Sequence, residues 1–317
     1  MVFYKCAILA DPEGKAWDLA CKIHEKLKKK ADKFELNKVR FQRFRDGEEK
    51  VKIENNVRKR VCFYIHDSNK PPLEWFTELC LVNHTLRNSS AQEVVDVLPY
   101  LKFSRQDRKD ESRVPISARV VADVIEKYAD RVLTLDVHNP SIQGFYNIPF
   151  DNLYSFPTVV KYLRENEPEL IKNITVMSAD TGGFARAKAF AQRLGTEKVV
   201  MGYKTREKPG EVASLKILGS VNGENVLLID DILDSGNTLV SAATEARNQG
   251  AKKVYAYCTH GIFTLGTEKV ESICDKVFIG DTIKRKENQI QTISFVDLFS
   301  EAIYRISKGE SLSALFE

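Results

Sequence analysis

The sequence predicts an α/β protein made of two tandem domains, each a mainly parallel sheet flanked by helices. Short apolar runs alternate with helical stretches along the whole chain, the pattern of repeated strand–helix units. The runs are near-continuous rather than alternating, as in Val226-Leu227-Leu228-Ile229, which suits strands covered on both faces. At 317 residues the chain holds two domains of roughly 150 residues, each large enough to bury a core.

In the first half, strands are predicted near Tyr4–Leu9, Val61–Ile65, Glu93–Leu98 and Arg131–Leu135. Helices are predicted at Lys15–Lys30, Pro72–Asn88 and Pro115–Tyr128. The lysine run Lys26–Lys30 reads as a solvated helix end, where cations complement the dipole. The second half is cleaner. Strands are predicted at Ile174–Met177, Lys198–Tyr203, Val226–Ile229, Val254–Cys258 and Lys276–Ile279, with helices at Phe184–Leu194 and Thr238–Asn248. No Gly/Pro/Ser-rich linker divides the halves, so a short boundary is expected near Phe156-Pro157. The expected domains are 1–155 and 156–317, with the C-terminal tail packing back on the first. The polar segment Lys204–Gly210 breaks the pattern, ends in Pro-Gly and is expected to be a loop.

Composition excludes several function classes. Lys plus Arg is 48 against 44 Asp plus Glu, a net charge of +4 that gives no footprint for nucleic acid. No apolar run nears the ~18 residues of a membrane span, and the first ten residues read as a strand rather than a secretion signal. Cys6, Cys21, Cys62, Cys80, Cys258 and Cys274 form no C-x-x-C pattern and read as reduced core thiols. A cytoplasmic protein is expected.

In open parallel α/β sheets, ligands bind outside the carboxyl ends of strands. Chemistry gathers there. Leu135 leads into Asp136-Val137-His138, Ser178 into Asp180-Thr181-Gly182-Gly183, Ile229 into Asp230-Asp231, and Cys258 into Thr259-His260-Gly261. The sharpest segment runs from Val226 through Asp230-Asp231-Ile232-Leu233-Asp234-Ser235-Gly236-Asn237-Thr238. An apolar strand enters two carboxylates, a small-residue loop and a helix. Successive N–H groups at a helix start suit a phosphate, and Ser235 and Thr238 add hydroxyl donors. Ionised Asp230 and Asp231 are acceptors for sugar hydroxyls or a magnesium shell. A capped helix with an acidic first turn explains Asp234 and Thr238 but leaves the Asp230-Asp231 pair unexplained.

This segment resembles the phosphoribosyl-diphosphate (PRPP) motif of type I phosphoribosyltransferases and of ribose-phosphate diphosphokinase, the PRPP synthetase family. Four more segments resemble the latter, in order, across nearly the whole chain: Arg43-Phe44-Arg45-Asp46-Gly47-Glu48, Ser104–Pro115, Asp136–Asn152 and Gly309-Glu310-Ser311-Leu312-Ser313. A transferase that consumes PRPP would explain the second half only. A non-catalytic associated subunit should have lost the cations Lys204 and Arg206, which this chain retains.

The resemblance implies two type I phosphoribosyltransferase-like domains, Mg2+ dependence, and the conversion of ATP and ribose 5-phosphate to AMP and PRPP for nucleotide biosynthesis. It assigns Phe44, Asp46 and Glu48 to the adenine site of a neighbouring subunit, and Arg105, Gln106 and Asp110 to ATP. His138 is assigned to the magnesium–ATP side and to catalysis. Asp180 and Asp136 join His138 as metal ligands, and Asp230, Asp231 and Asp234–Thr238 take ribose 5-phosphate. Lys204 and Arg206 belong to the catalytic loop. His260 has a supporting role. A homo-oligomer is implied, a hexamer assembled from dimers. Two departures stand out: Asn147 replaces a family carboxylate, and Pro140 follows His138-Asn139 where phosphate-activated members carry a serine.

Overall fold

The computed structural model describes residues 5–205, 214–285 and 290–316. They form two compact units, one reaching Tyr154 and resuming at Phe295, the other Ser155–Ser294.

In the first unit, β1 (Cys6–Ala10), α1 (Trp17–Lys30), β2 (Phe34–Arg43), β3 (Glu49–Ile53), β4 (Val61–Ile65), α2 (Pro72–Asn88), β5 (Glu93–Leu98), α3 (Ser117–Ile125), β6 (Arg131–Leu135) and β7 (Phe150–Leu153) follow in order. The sheet runs β3-β2-β1-β4-β5-β6-β7. Its pairings are parallel except for the β2–β3 hairpin. Every residue of β1 and β4 is buried, the result of helices covering both faces. Trp75, Leu79, Val82 and Leu86 recur at helical spacing along α2 and pack into the core with Tyr64 and Val94.

The second unit repeats this plan with α4 (Phe156–Asn166), β8 (Ile174–Ser178), α5 (Phe184–Leu194), β9 (Val199–Thr205), β10 (Ser214–Leu218), β11 (Asn225–Leu233), α6 (Asn237–Asn248), β12 (Lys253–Gly261), α7 (Glu268–Ile273), β13 (Lys276–Gly280) and β14 (Gln291–Ile293). Its sheet order is β10-β9-β8-β11-β12-β13-β14, with β9–β10 the antiparallel pair. The two sheets therefore share one topology. Strand order reverses between β1 and β4 in the first and between β8 and β11 in the second, where open α/β sheets bind ligands.

The units divide between Tyr154 and Ser155, directly before Phe156-Pro157, which opens α4, since proline fits a first helical turn. The second unit ends at Ser294, and the C-terminal segment with α8 (Val296–Ile306) belongs to the first unit. Its Leu298, Phe299, Ala302 and Ile303 are buried, Lys26 and Lys30 pair with Asp297 and Glu301, and Lys33 Nζ donates to the Ser307 carbonyl at 2.9 Å. The apolar face dominates this contact, because exposed ion pairs add little. Finally, Lys204 lies in β9 rather than in a loop.

Candidate active site

The register places the second unit's switch point. Pairing of β11 with β8 stops at Ile229↔Ser178, while pairing with β12 continues to Leu233↔Gly261. Asp230 and Asp231 thus sit inside β11, not beyond its end as the sequence implied, and that part of β11 outruns β8.

Arg186, in the first turn of α5, reaches this step. Its Nη1 lies 3.0 Å from Asp231 Oδ1 and 3.9 Å from Asp230 Oδ1. The Asp231 N–H donates to Asp230 Oδ1 at 2.9 Å. Burial lifts the Asp230 carboxyl well above its ordinary range, the adjacent Asp231 carboxylate adds to that, and Arg186 opposes it. The two carboxyls therefore share one guanidinium, and ionisation of Asp230 is disfavoured.

Beyond Leu233 the chain turns into α6. Asp234 Oδ1 accepts from Thr264 Oγ1 at 2.5 Å, which fixes the loop to the segment after β12. Gly236 precedes α6 with φ +75°, and a Cβ there would stand 2.7 Å from Val270 Cγ2. Only glycine meets both demands without strain. Ser235 is half-buried, Asn237 exposed and Thr238 half-buried, at the start of a helix whose first N–H groups lack intrahelical acceptors. The neighbouring β8–α5 loop is built similarly. Asp180 is exposed, its Oδ1 accepts the Gly183 N–H at 3.0 Å, and a Cβ on Gly183 would lie 2.7 Å from Ser178 Oγ. The two loops flank the switch point with hydroxyls, N–H groups and carboxyls, a set suited to a phosphorylated sugar. Lys204 pairs with Leu215 in the β9–β10 ladder, and Arg206 lies outside the described residues. His260 is buried; its Nδ1 is 2.9 Å from Thr282 Oγ1, which donates to the Thr259 carbonyl, so it ties β12 to the segment after β13.

In the first unit, β6 delivers Asp136, buried and at φ +40°, and then exposed His138. Asn139 Oδ1 accepts the Ser141 N–H at 3.0 Å, capping a 3-10 helix that Pro140 opens. Its Nδ2 donates to Asp107 Oδ2 at 2.5 Å, which joins the His138 loop to the loop of Arg105, Gln106 and Asp110. Gln106 Nε2 donates to Asp110 Oδ1 at 3.1 Å. Arg186, Asp107 and Asn139 were missed in the sequence; only their sites beside strand ends marked them. Asn147 is held by Glu126, donating from its backbone N–H and from Nδ2 at 2.8 and 2.9 Å.

Phe44, Asp46 and Glu48 form the exposed turn between β2 and β3. The Phe44 N–H donates to the Glu48 carbonyl at 2.7 Å, and Gly47 supplies φ +96°. Three strands, β1, β4 and β5, separate β2 from β6 in the sheet. At about 4.8 Å per strand, roughly 19 Å divides the strand carrying this turn from the strand carrying His138.

Among the described residues, the group of carboxylates whose oxygens converge within 4.8 Å is Glu49, Glu74 and Glu78, and none of His138, Asp136 and Asp180 belongs to it. No helix among the described residues is long and apolar enough to cross a membrane.

A family model for the N-terminal domain of ribose phosphate pyrophosphokinase matches residues 14–128, and one for the phosphoribosyl synthetase-associated domain matches residues 196–317. The ribose-phosphate pyrophosphokinase of Rhizobium meliloti is 42% identical over 290 residues, covering 89% of this chain and 93% of that protein. That of Chlorobaculum tepidum is 39% identical over 285 residues, covering 88% and 87%. The crystal structure of phosphoribosylpyrophosphate synthetase from Mycobacterium smegmatis superposes with a TM-score of 0.86 at 26% identity, over 96% of this chain and 100% of that one. With the paired sheets and the switch-point loop, these likenesses establish that the chain belongs to the ribose-phosphate pyrophosphokinase family, the PRPP synthetases.

Proposed function

We propose that this chain transfers the diphosphoryl group of ATP to ribose 5-phosphate, yielding AMP and PRPP for nucleotide biosynthesis. The observation that carries the reading is the β11–α6 segment, where Asp230, Asp231 and the Gly236 turn meet at a switch point. The C1 hydroxyl of the sugar attacks the β-phosphorus of ATP. The bond from that phosphorus to the α–β bridging oxygen breaks, AMP departs with the oxygen, and the hydroxyl proton is lost. Such a reaction needs positioning and charge stabilisation more than covalent help.

Roles follow from chemistry. Asp234–Thr238 hold the 5-phosphate through N–H and hydroxyl donors. Asp230 and Asp231 hold the ribose hydroxyls. Arg105, Gln106 and Asp110 bind ATP beside His138. Lys204 and Arg206 supply cations to the charge developing on the transferred group. Asp136 and His138, and separately Asp180, carry oxygen and imidazole donors of a kind that would hold Mg2+, which takes few protein ligands. When bound, the ion neutralises phosphate charge.

The strand separation between β2 and His138 supports an assembly in which the Phe44–Glu48 turn serves the ATP site of a neighbouring subunit. We take the assembly to be a homo-oligomer, a hexamer built from dimers, whose activity is lost on dissociation. Six free cysteines support residence in the reducing cytoplasm. Incubation of the pure protein with ATP, Mg2+ and ribose 5-phosphate tests the reading. Equal amounts of AMP and PRPP are expected, and ADP with free phosphate would contradict it.

A further inference from the structure

The group Glu49, Glu74 and Glu78 lies outside every role assigned above. Three carboxylates whose oxygens converge within 4.8 Å repel one another unless a cation joins them. Here the chain supplies it. Lys70, which precedes α2, donates from Nζ to Glu74 Oε1 at 3.1 Å and to Glu78 Oε1 at 2.8 Å. Arg43 donates to Glu49 Oε1 through Nη2 at 2.6 Å and Nε at 3.1 Å, and its Nη2 also lies 3.5 Å from Glu74 Oε1. The contacts form one continuous series, Glu78–Lys70–Glu74–Arg43–Glu49.

The two ends of the series differ. Glu78 is 1% exposed, its Oε2 is buried without a hydrogen bond, and Lys70 is its side-chain donor among the described residues. That end is fixed in the core under α2. At the other end, Arg43 closes β2 and Glu49 opens β3, so the pair brackets the Phe44–Glu48 turn. Lys70 Nζ also stands 5.6 Å from the centre of the Phe41 ring, on the same strand as Arg43.

We infer that Lys70 is a positioning residue, whose ammonium holds Glu74 for the Arg43 contact that ties the β2–β3 hairpin to α2, stands over Phe41 of β2, and so sets where the Phe44–Glu48 turn is presented. The inference rests on the adenine-site reading of that turn. A turn at the end of a two-stranded ribbon moves by pivoting at the ribbon base, because an isolated hairpin is marginally stable. The bridge lies at the opposite end, where Arg43 faces Glu49 beside the turn, and so restrains that swing where it is largest. An adenine site filled from another subunit tolerates little such motion, because a displacement of about 1 Å can cost 10²-fold in a positioned reaction.

The test uses the full-length protein and two readouts. One is hydrogen–deuterium exchange of residues 43–49. The other is steady-state kinetics with ATP and ribose 5-phosphate varied separately. Lys70→Met is expected to speed exchange in that segment. It should raise the KM for ATP about 5-fold, the scale of one well-anchored ion pair, and leave the KM for ribose 5-phosphate unchanged. Lys70→Arg should restore both readouts. Phe44→Ala should raise the KM for ATP by about 10-fold, the loss of one stacked ring, and adding Lys70→Met should raise it no further.

Wild-type exchange and KM in Lys70→Met, with Phe44→Ala impaired, overturns the clamp and leaves the adenine reading intact. Faster exchange without a change in KM overturns the positioning role. An unimpaired Phe44→Ala overturns the adenine reading and this inference with it. If Lys70→Met does not fold, the half-exposed Glu74→Gln cuts the same series and is judged by the same outcomes.

Discussion

One guanidinium serves two neighbouring carboxyls: Arg186 lies 3.0 Å from Asp231 and 3.9 Å from Asp230, at the base of the loop that opens α6. Removing it strips charge compensation from Asp231, whose side chain is 5% exposed. Breaking a fully buried pair costs about 3–5 kcal/mol; with the Arg186 side chain 17% exposed, Arg186→Ala should cost about 2 kcal/mol in urea unfolding. The KM for ribose 5-phosphate should rise roughly 10-fold or more while the KM for ATP changes little, because the residues proposed for ATP lie in other segments. Equal losses for both substrates in a folded variant would count against this division.

Gly236→Ala isolates the turn itself. The residue has φ +75°, and a Cβ meets Val270 Cγ2 at 2.7 Å. The left-handed conformation alone costs a non-glycine residue about 1–2 kcal/mol. The expected result is weakened ribose 5-phosphate use with ATP binding retained, measured by calorimetry with each ligand separately. Normal ribose 5-phosphate affinity would mean that the turn does not shape the phosphate site.

Asp96 makes a prediction about stability and pH. It is wholly buried in β5, with Asn83 Nδ2 donating to its Oδ2 at 2.7 Å, and burial pushes its carboxyl up to about 8. Between its ordinary value near 4 and that raised value, the folded state keeps a proton that the unfolded chain releases. Stability from this group is therefore full below pH ~4 and falls as pH rises toward ~8, by up to about 1.4 kcal/mol per unit. Asp96→Asn should flatten the profile of urea midpoints between pH 5 and pH 8. An unchanged slope would show that Asp96 is ionised in the fold.

Phosphate regulation is the fourth prediction. Pro140 has no N–H, and the N–H of Ser141 is already given to Asn139 Oδ1 at 3.0 Å. The segment after His138 therefore offers an activating anion little. Titrating phosphate from zero in a non-phosphate buffer should raise activity less than about twofold. Strong activation at low millimolar phosphate, reversed by ADP, would refute this.

Elements whose residues carry their own burial pattern were legible in the sequence. The predicted bounds Pro72–Asn88 and Glu93–Leu98 coincide with α2 and β5, because buried residues recur at helical spacing in one and run unbroken in the other. Elements defined by distant partners were not. β14 is three residues long and exists through its pairing with β13. α8 owes its place to α1, more than 260 positions earlier, through partners such as Lys30 and Glu301. Within the site, Asp230, Asp231 and Gly236 stood out because two carboxyls and a glycine interrupt an apolar strand–helix pattern. Arg186 did not, since an arginine in a helical stretch reads as solvated until the fold turns it toward Asp231.

The central claim is that the diphosphoryl group moves as a unit from ATP to the sugar. ATP labelled at the β-phosphorus, incubated with the protein, Mg2+ and ribose 5-phosphate, tests it directly. The label is expected in PRPP and absent from AMP, with no labelled ADP. Label recovered in ADP would mean that the γ-phosphoryl group alone is transferred, and would contradict the account.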